Sequence, residues 1–143
     1  LVVASEFVQH DVDTTAVGDP IGLVSTVNRV EFPTWEPERC VKLLADMGIH
    51  AVTGRVATGD WFAVNCKRAE FIRDTFHPVL TEQEGGAIAQ VCFRNGVRFV
   101  AVKSISDHLF SENQQEEYFN FGEALENMGT IVLPLARKLK EEA

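Results

Sequence analysis

The sequence predicts an α/β layered domain. Apolar segments of strand-like composition alternate along the chain with segments of helical periodicity, which is the pattern of helices packed on a sheet. The 143 residues, of which 45% are hydrophobic, are enough for one core and one domain. The sequence contains no run of eighteen apolar residues, so we predict no membrane span.

The predicted elements follow the chain in this order. Strands are predicted over residues 1–9, 50–58, 79–81 and 97–105, the last being nearly all apolar, as a strand covered on both faces must be. Helices are predicted from a cap at Thr34 to a stop at Gly48, over residues 67–76 and 84–95, and from about residue 116 onward. Residues 10–33 form a long loop with room for one short strand, and a loop of this length is usually functional.

Apolar spacing predicts which helix faces point to the core. In the 67–76 helix these residues are Ala69, Ile72 and Phe76. In the last helix a longer stripe is expected to face inward, formed by Tyr118, Phe121, Leu125, Met128, Val132, Leu135 and Leu139.

Charge, cysteines and histidines argue against several classes of protein. The net charge of −8 disfavours a nucleic-acid binder, which would usually carry a basic face. Cys40, Cys66 and Cys92 lack a C-x-x-C spacing, and we interpret them as reduced thiols of a cytoplasmic protein. The four histidines have no metal-ligand spacing, so we expect no metal site. We also expect no cofactor.

Three groups of residues follow predicted strands, where layered α/β folds place their sites. They are residues 58–62 (TGDWF), 82–84 (EQE) and 106–107 (SD). Each group also has a structural alternative. Glu84 can complement the dipole of its helix, Asp107 can cap the next turn, and Trp61 with Phe62 can pack in the core. Three such groups at adjacent strand ends together favour one site.

Three stretches carry a resemblance to a known family. "TEQEGGAIAQVC" followed by "VRFVAVKSISD" has a Glu-x-Glu before a small-residue helix and then a strand that ends in Ser-Asp. "VVASEFVQHDVDTTAVG" has a strand followed by His-Asp-x-Asp-x-Thr-Ala, and "VATGDWFAVN" has a Gly-Asp-x-Phe turn. In order and spacing these stretches resemble the nucleoside phosphorylase/nucleosidase superfamily, and within it the methylthioadenosine/S-adenosylhomocysteine nucleosidases.

The resemblance implies a three-layer αβα sandwich with a mixed central sheet, of the phosphorylase/hydrolase type, with the N-terminal part missing. Residues 1–143 would then be the C-terminal part of a single nucleosidase-like domain. In the family, the N-terminal part normally supplies the first strands, a glycine-rich segment and a glutamate that positions the attacking water.

The resemblance also implies hydrolysis of the N-glycosidic bond of methylthioadenosine or S-adenosylhomocysteine, with release of adenine. Asp107 matches the acid that protonates purine N7, Ser106 would orient it, and Glu84 matches the carboxylate that binds the ribose hydroxyls. A phosphorylase needs cationic residues around its phosphate. The segment "ENQQEEYFNFG" after Ser-Asp carries no arginine, so we expect water rather than phosphate as the nucleophile. A purine nucleoside phosphorylase and a non-catalytic nucleoside-binding or storage protein are the alternatives.

Further pocket residues follow from the same resemblance. Gln83 stands where the family usually has methionine, beneath the ribose, and Phe62 matches the aromatic residue that stacks on the base. Trp61, Ala63 and Glu82 are assigned to the same pocket.

The loop after the first strand is expected to reach a second subunit. In the resembling nucleosidases the corresponding loop crosses the dimer interface and walls the neighbouring pocket around the 5′ substituent. Thr14 and Val17 fall on the wall positions, so we expect a homodimer that binds a small purine nucleoside, without a nucleic-acid or membrane partner.

Overall fold

A mixed five-stranded sheet forms the centre of the molecule. The computed structural model describes residues 1–64, 66–109 and 121–141. The strands in these ranges are β1 (Val2–Gln9), β2 (Phe32–Pro33), β3 (Val52–Thr58), β4 (Leu80–Glu82) and β5 (Val102–Lys103). The helices are α1 (Pro37–Asp46), α2 (Lys67–Phe76), α3 (Gly85–Arg94) and α4 (Phe121–Glu141), and a short 3-10 turn spans Thr15–Val17.

The sheet has the order β2-β1-β3-β4, and β5 also pairs with β1. Strands β1, β3 and β4 are parallel, whereas β2 and β5 run antiparallel to β1. One edge of β1 pairs with β3 along its whole length. Strand β5 pairs with Val2 and Val3 at the start of β1, and β2 pairs with Glu6 and Phe7 further along.

Helices cover both faces of the sheet, which confirms the predicted αβα sandwich. On one face α1 and α4 pack against Val3, and α2 packs against Val8 and Ala57. On the opposite face α3 packs against Phe7 and Val56. Side chains of consecutive strand residues point to opposite faces, so the neighbouring Val56 and Ala57 serve different layers. The sheet lies between these two apolar layers, and the ends of its strands carry the candidate site.

The predicted strands at residues 1–9, 50–58 and 97–105 all contribute to this one sheet, as expected. The extent of the last one was wrong, because only Val102 and Lys103 form a strand. The part of the β1 edge beyond them pairs with β2, which leaves little edge for a longer ladder. Val97, predicted to be covered, is 57% exposed.

The α2 prediction was confirmed at both ends, and its three inward residues are buried. The predicted cap of α1 was wrong. The Thr34 hydroxyl donates to the carbonyl oxygens of Ala4 and Ser5 at 2.5 and 3.1 Å, and Glu36 is the residue that precedes the helix. Thr34 therefore ties the loop to β1 and does not begin the helix.

The apolar stripe predicted for the last helix was only partly right. Leu135 is buried, but the second core residue of the helix is Ile131, which lies outside the predicted stripe. Leu125 and Val132 are exposed. Tyr118 and the side chain of Phe121 lie outside the described residues. No helix in the described ranges is both long and apolar enough to cross a membrane.

Candidate functional site

Glu82 is the most strongly held polar side chain of the candidate site. It ends β4, its side chain is 10% exposed, and its Oε2 accepts a hydrogen bond from Lys103 Nζ at 2.6 Å. The same oxygen accepts the backbone N–H groups of Gly85 at 2.7 Å and Glu84 at 3.2 Å. The pKa of Glu82 is lowered: burial acts to raise it, but the hydrogen bonds from Lys103, Thr58 and Gly85 outweigh that effect.

Thr58 completes the support of Glu82 from the end of β3. Its hydroxyl donates to Glu82 Oε1 and accepts the N–H of Gly86 at 2.8 Å. A Cβ at position 86 would lie 2.8 Å from the Thr58 side chain, so only glycine permits this approach of α3 to β3. The N–H groups of Gly85 and Gly86 at the start of α3 are therefore satisfied from β4 and β3, and the Glu84 side chain makes no capping hydrogen bond.

Glu84 and Lys103 open onto a cavity of about 1010 Å³. Glu84 is 69% exposed, and its Oε2 lies 3.9 Å from Lys103 Nζ. One ammonium group thus stands between two carboxylates, the largely covered one of Glu82 and the exposed one of Glu84. The three side chains leave a net negative charge at the cavity wall.

Ser106 and Asp107 line the same cavity as Glu84. The Ser106 hydroxyl donates to Asp107 Oδ1 at 2.7 Å, and both residues are half-buried. We expected them at the carboxyl edge shared with the other two groups, and that expectation was wrong because β5 runs antiparallel to β1. The long Lys103 side chain nevertheless links β5 to Glu82.

The aromatic turn after β3 lies at the margin of this cavity. Ala63 lines it, but Trp61 and Phe62 are not among the lining residues. Trp61 packs on the cluster that holds Ile72, and the guanidinium of Arg68 lies 4.7 Å from its ring centre. Phe62 is 63% exposed. Trp61 therefore packs against the core, which was the structural alternative for it, whereas Phe62 exposes its ring beside the cavity.

Three other predicted residues lie outside the cavity wall. Gln83 is exposed between Glu82 and Glu84. The Thr14 hydroxyl donates to Asp19 Oδ2 at 2.9 Å, which braces the loop after β1. Val17 is 80% exposed at the end of the 3-10 turn.

Sequence reasoning missed the role of Lys103 and the hydroxyl of Thr58. Lys103 did carry a signal, because it is the one charged residue between Phe99 and Ile105 in an otherwise apolar or small-residue run. No group of three or more potential metal ligands occurs within the described ranges.

Comparison with known proteins gives a consistent result. The model of the phosphorylase superfamily matches residues 1–137. A 5′-methylthioadenosine/S-adenosylhomocysteine nucleosidase of Geobacillus kaustophilus is 35% identical over 99% of this chain, and the chain spans 62% of that relative's length.

Two solved structures are similar to the fold. The nucleosidase of the same name from Campylobacter jejuni superposes with a TM-score of 0.83 at 27% identity, covering 99% of this chain and 61% of that one. The nucleosidase from Colwellia psychrerythraea, solved in complex with adenine, gives a TM-score of 0.76 at 34% identity, covering 94% of this chain and 57% of that one. The chain belongs to the phosphorylase superfamily.

Proposed function

We propose that the protein hydrolyses the N-glycosidic bond of a purine nucleoside, methylthioadenosine or S-adenosylhomocysteine, and releases adenine. The observation that carries the proposal is that Asp107 and Glu84 line one cavity. The reaction needs this combination, an acid beside the base and an anion beside the sugar. The names of the similar nucleosidases and the adenine bound to the Colwellia enzyme support the same substrate class.

Asp107 is proposed as the general acid. As the bond between C1′ and N9 breaks, its electron pair moves into the purine, and a proton delivered to N7 makes adenine a neutral leaving group. The Ser106 hydroxyl donates to Asp107 Oδ1, so we propose that Oδ2 carries the transferred proton. Water forms the new bond to C1′, and the proton that it loses passes through solvent to re-protonate Asp107.

Glu84 is proposed to accept hydrogen bonds from the ribose hydroxyls. Its exposure into the cavity suits contact with a ligand, and Lys103 and Glu82 fix its surroundings. A preorganised net negative charge beside the sugar stabilises the positive charge that develops on the ribosyl group. Ala63, which lines the cavity, and the exposed ring of Phe62 next to it are proposed to complete the pocket on the side of the base.

Water is favoured over phosphate as the nucleophile because cationic groups and helix amides at the cavity wall already bind protein oxygen atoms. Lys103 already pairs with Glu82 at 2.6 Å, and Arg73, another cavity residue, pairs with Asp74 at 2.7 Å. The first amides of α3, a common anion site, bond to Glu82 and Thr58. A phosphate group would have to displace these bonds.

The chain spans about three fifths of the length of the relatives it matches. We propose that residues 1–143 form the C-terminal part of a single nucleosidase-like domain and that the complete protein provides the group that positions water. We also propose a homodimer in the cytoplasm. The exposed Val17 supports the dimer. The three cysteines, which are all free thiols, support the cytoplasmic location.

The direct test is adenine release from methylthioadenosine by the complete protein, with and without phosphate. A nucleosidase releases adenine at the same rate in both buffers. A phosphorylase requires phosphate and yields a ribose phosphate. Tight binding of methylthioadenosine without turnover in either buffer would instead identify a nucleoside-binding or storage protein.

A further inference from the structure

His10 is a buried histidine that has no role in the proposed reaction. It directly follows β1, is 5% exposed, and its backbone N–H donates to the Thr58 carbonyl oxygen at 2.9 Å. Neither ring nitrogen has a hydrogen-bond partner among the described residues. Buried side-chain nitrogens usually have a hydrogen-bond partner, and burying them without one costs folding free energy. We therefore expect this ring to have a role that outweighs that cost.

The ring of His10 supports the turn that follows β3. A Cβ at position 59 would collide with the imidazole, so the ring occupies the space that any residue larger than Gly59 would need. The ring also meets Trp61 edge-on, with ring centres 6.4 Å apart and planes at 87°. The imidazole is therefore packed between two residues of the same turn.

Asp11 holds the same turn by a different contact. Its Oδ2 accepts the backbone N–H of Asp60 at 2.8 Å. Two consecutive residues after β1 thus hold consecutive residues after β3, His10 by packing on Gly59 and Asp11 by a hydrogen bond to Asp60. The turn leads directly into Phe62 and Ala63.

We propose that His10 is a positioning residue that fixes the Gly59–Phe62 turn and thereby holds the ring of Phe62 at the margin of the nucleoside pocket. The link to the pocket rests on the proposed function. The link to the turn rests on the packing alone. Loss of the ring should loosen the turn and weaken nucleoside binding, and should leave the bond-breaking groups Glu84 and Asp107 in place.

Protonation should act like loss of the ring. The charged groups that act on His10 are Asp11 from its own segment and Arg68 from α2. Burial lowers the pKa of His10 from 6.5; Asp11 opposes this shift and Arg68 adds to it. A charged imidazole needs solvent or an acceptor for both N–H groups, and it can reach them only if the turn moves.

Fluorescence of Trp61 tests the role in the turn without any need for turnover. The complete protein with Trp35→Phe is titrated from pH 8 to about pH 4.5 while emission and acrylamide quenching are recorded, and the signal of a Trp35→Phe/Trp61→Phe variant is subtracted. We expect Trp61 to become more accessible in a transition centred below 6.5, the ordinary pKa of histidine. His10→Phe keeps a flat ring without a titrating group and should abolish the transition.

Matched variants separate positioning from general stability. His10→Ala should expose Trp61 already at pH 8, and His50→Ala, which removes an exposed histidine, should leave the signal unchanged. In turnover assays His10→Ala should raise KM for methylthioadenosine about tenfold or more with kcat largely kept, and His10→Phe should restore KM.

Two results would overturn the inference. One is a Trp61 transition that persists in His10→Phe, and the other is a His10→Ala variant in which Trp61 stays as protected as in the parent. If the fluorescence behaves as expected but no adenine is released by any variant, the role of His10 in the turn stands and the proposed function fails.

Discussion

Lys103 and Glu82, which are 21 residues apart in the chain, form an ion pair with an Nζ–Oε2 distance of 2.6 Å. The pair joins β5 to the end of β4, and Glu82 in turn bonds to Thr58 and to the first amides of α3. This network connects the strand that leads to Asp107 with the helix that begins beside Glu84.

Removing the cation should destabilise the fold. In Lys103→Met the Glu82 carboxylate, whose side chain is only 10% exposed, loses its charged partner. We expect the free energy of unfolding to fall by about 2 kcal/mol, since an unpaired buried charge is costly. Urea unfolding of the complete protein measures this loss. Lys42→Met, on an exposed position of α1, is the control and should stay within about 0.5 kcal/mol of the parent.

The stability should depend on pH through Glu82. Its pKa is lowered from 4.5 in the folded state, so the unfolded chain binds the proton first as the pH falls. The contribution of Glu82 to stability is complete above pH 4.5 and is lost as the pH falls further, through the folded-state pKa. Urea midpoints measured between about pH 3 and pH 7 should fall less steeply in Glu82→Gln than in the parent. Equal slopes would contradict the assignment.

Glu84→Gln should reduce turnover without reducing stability. The Glu84 side chain is 69% exposed and makes no capping hydrogen bond to α3, so we expect a change in unfolding free energy within about 0.5 kcal/mol. The rate of adenine release should fall by about a hundredfold, because an anion beside the developing ribosyl cation is lost. A Glu84→Gln enzyme with parental kcat and KM would rule out contact between Glu84 and the sugar.

Val17→Asp should weaken association of the proposed dimer. Val17 is 80% exposed, so the change should not alter the stability of one subunit. Burying the new carboxylate in an apolar interface should raise the dimer dissociation constant by about a hundredfold or more, and substrate binding should weaken with it. Analytical ultracentrifugation measures the first effect, and Val91→Asp on the exposed face of α3 serves as the control. Unchanged association and binding in Val17→Asp would remove this loop from the interface.

The sequence predicted local features better than long-range ones. Helix α2 was found at both ends because Ala69, Ile72 and Phe76 follow helical spacing. The strand at residues 97–105 was overextended because apolar composition does not reveal which part of β1 is already paired with β2. Pairing along a shared edge depends on contacts between distant segments.

The candidate site shows the same limit. Glu82 and Glu84 were predicted at the correct strand end, but the residue whose side chain binds the α3 amides is Glu82 and not Glu84. Local rules favour the residue next to the helix, whereas the choice here follows from Thr58 and Lys103 meeting Glu82 from other strands. His10 stands out in the sequence only as the histidine of the His-Asp-x-Asp-x-Thr-Ala stretch, and its burial could not be predicted because it depends on the fold of the turn after β3.

The measurement that bears most directly on the central claim is adenine release by Asp107→Asn. The complete protein and this variant are incubated with methylthioadenosine in phosphate-free buffer, and free adenine is quantified by chromatography. Asp74→Asn, which changes a carboxylate that is 65% exposed on α2, is assayed beside them. The account predicts adenine release by the parent and by Asp74→Asn, and a rate about two to four orders of magnitude lower for a folded Asp107→Asn. Near-parental release by Asp107→Asn would contradict it.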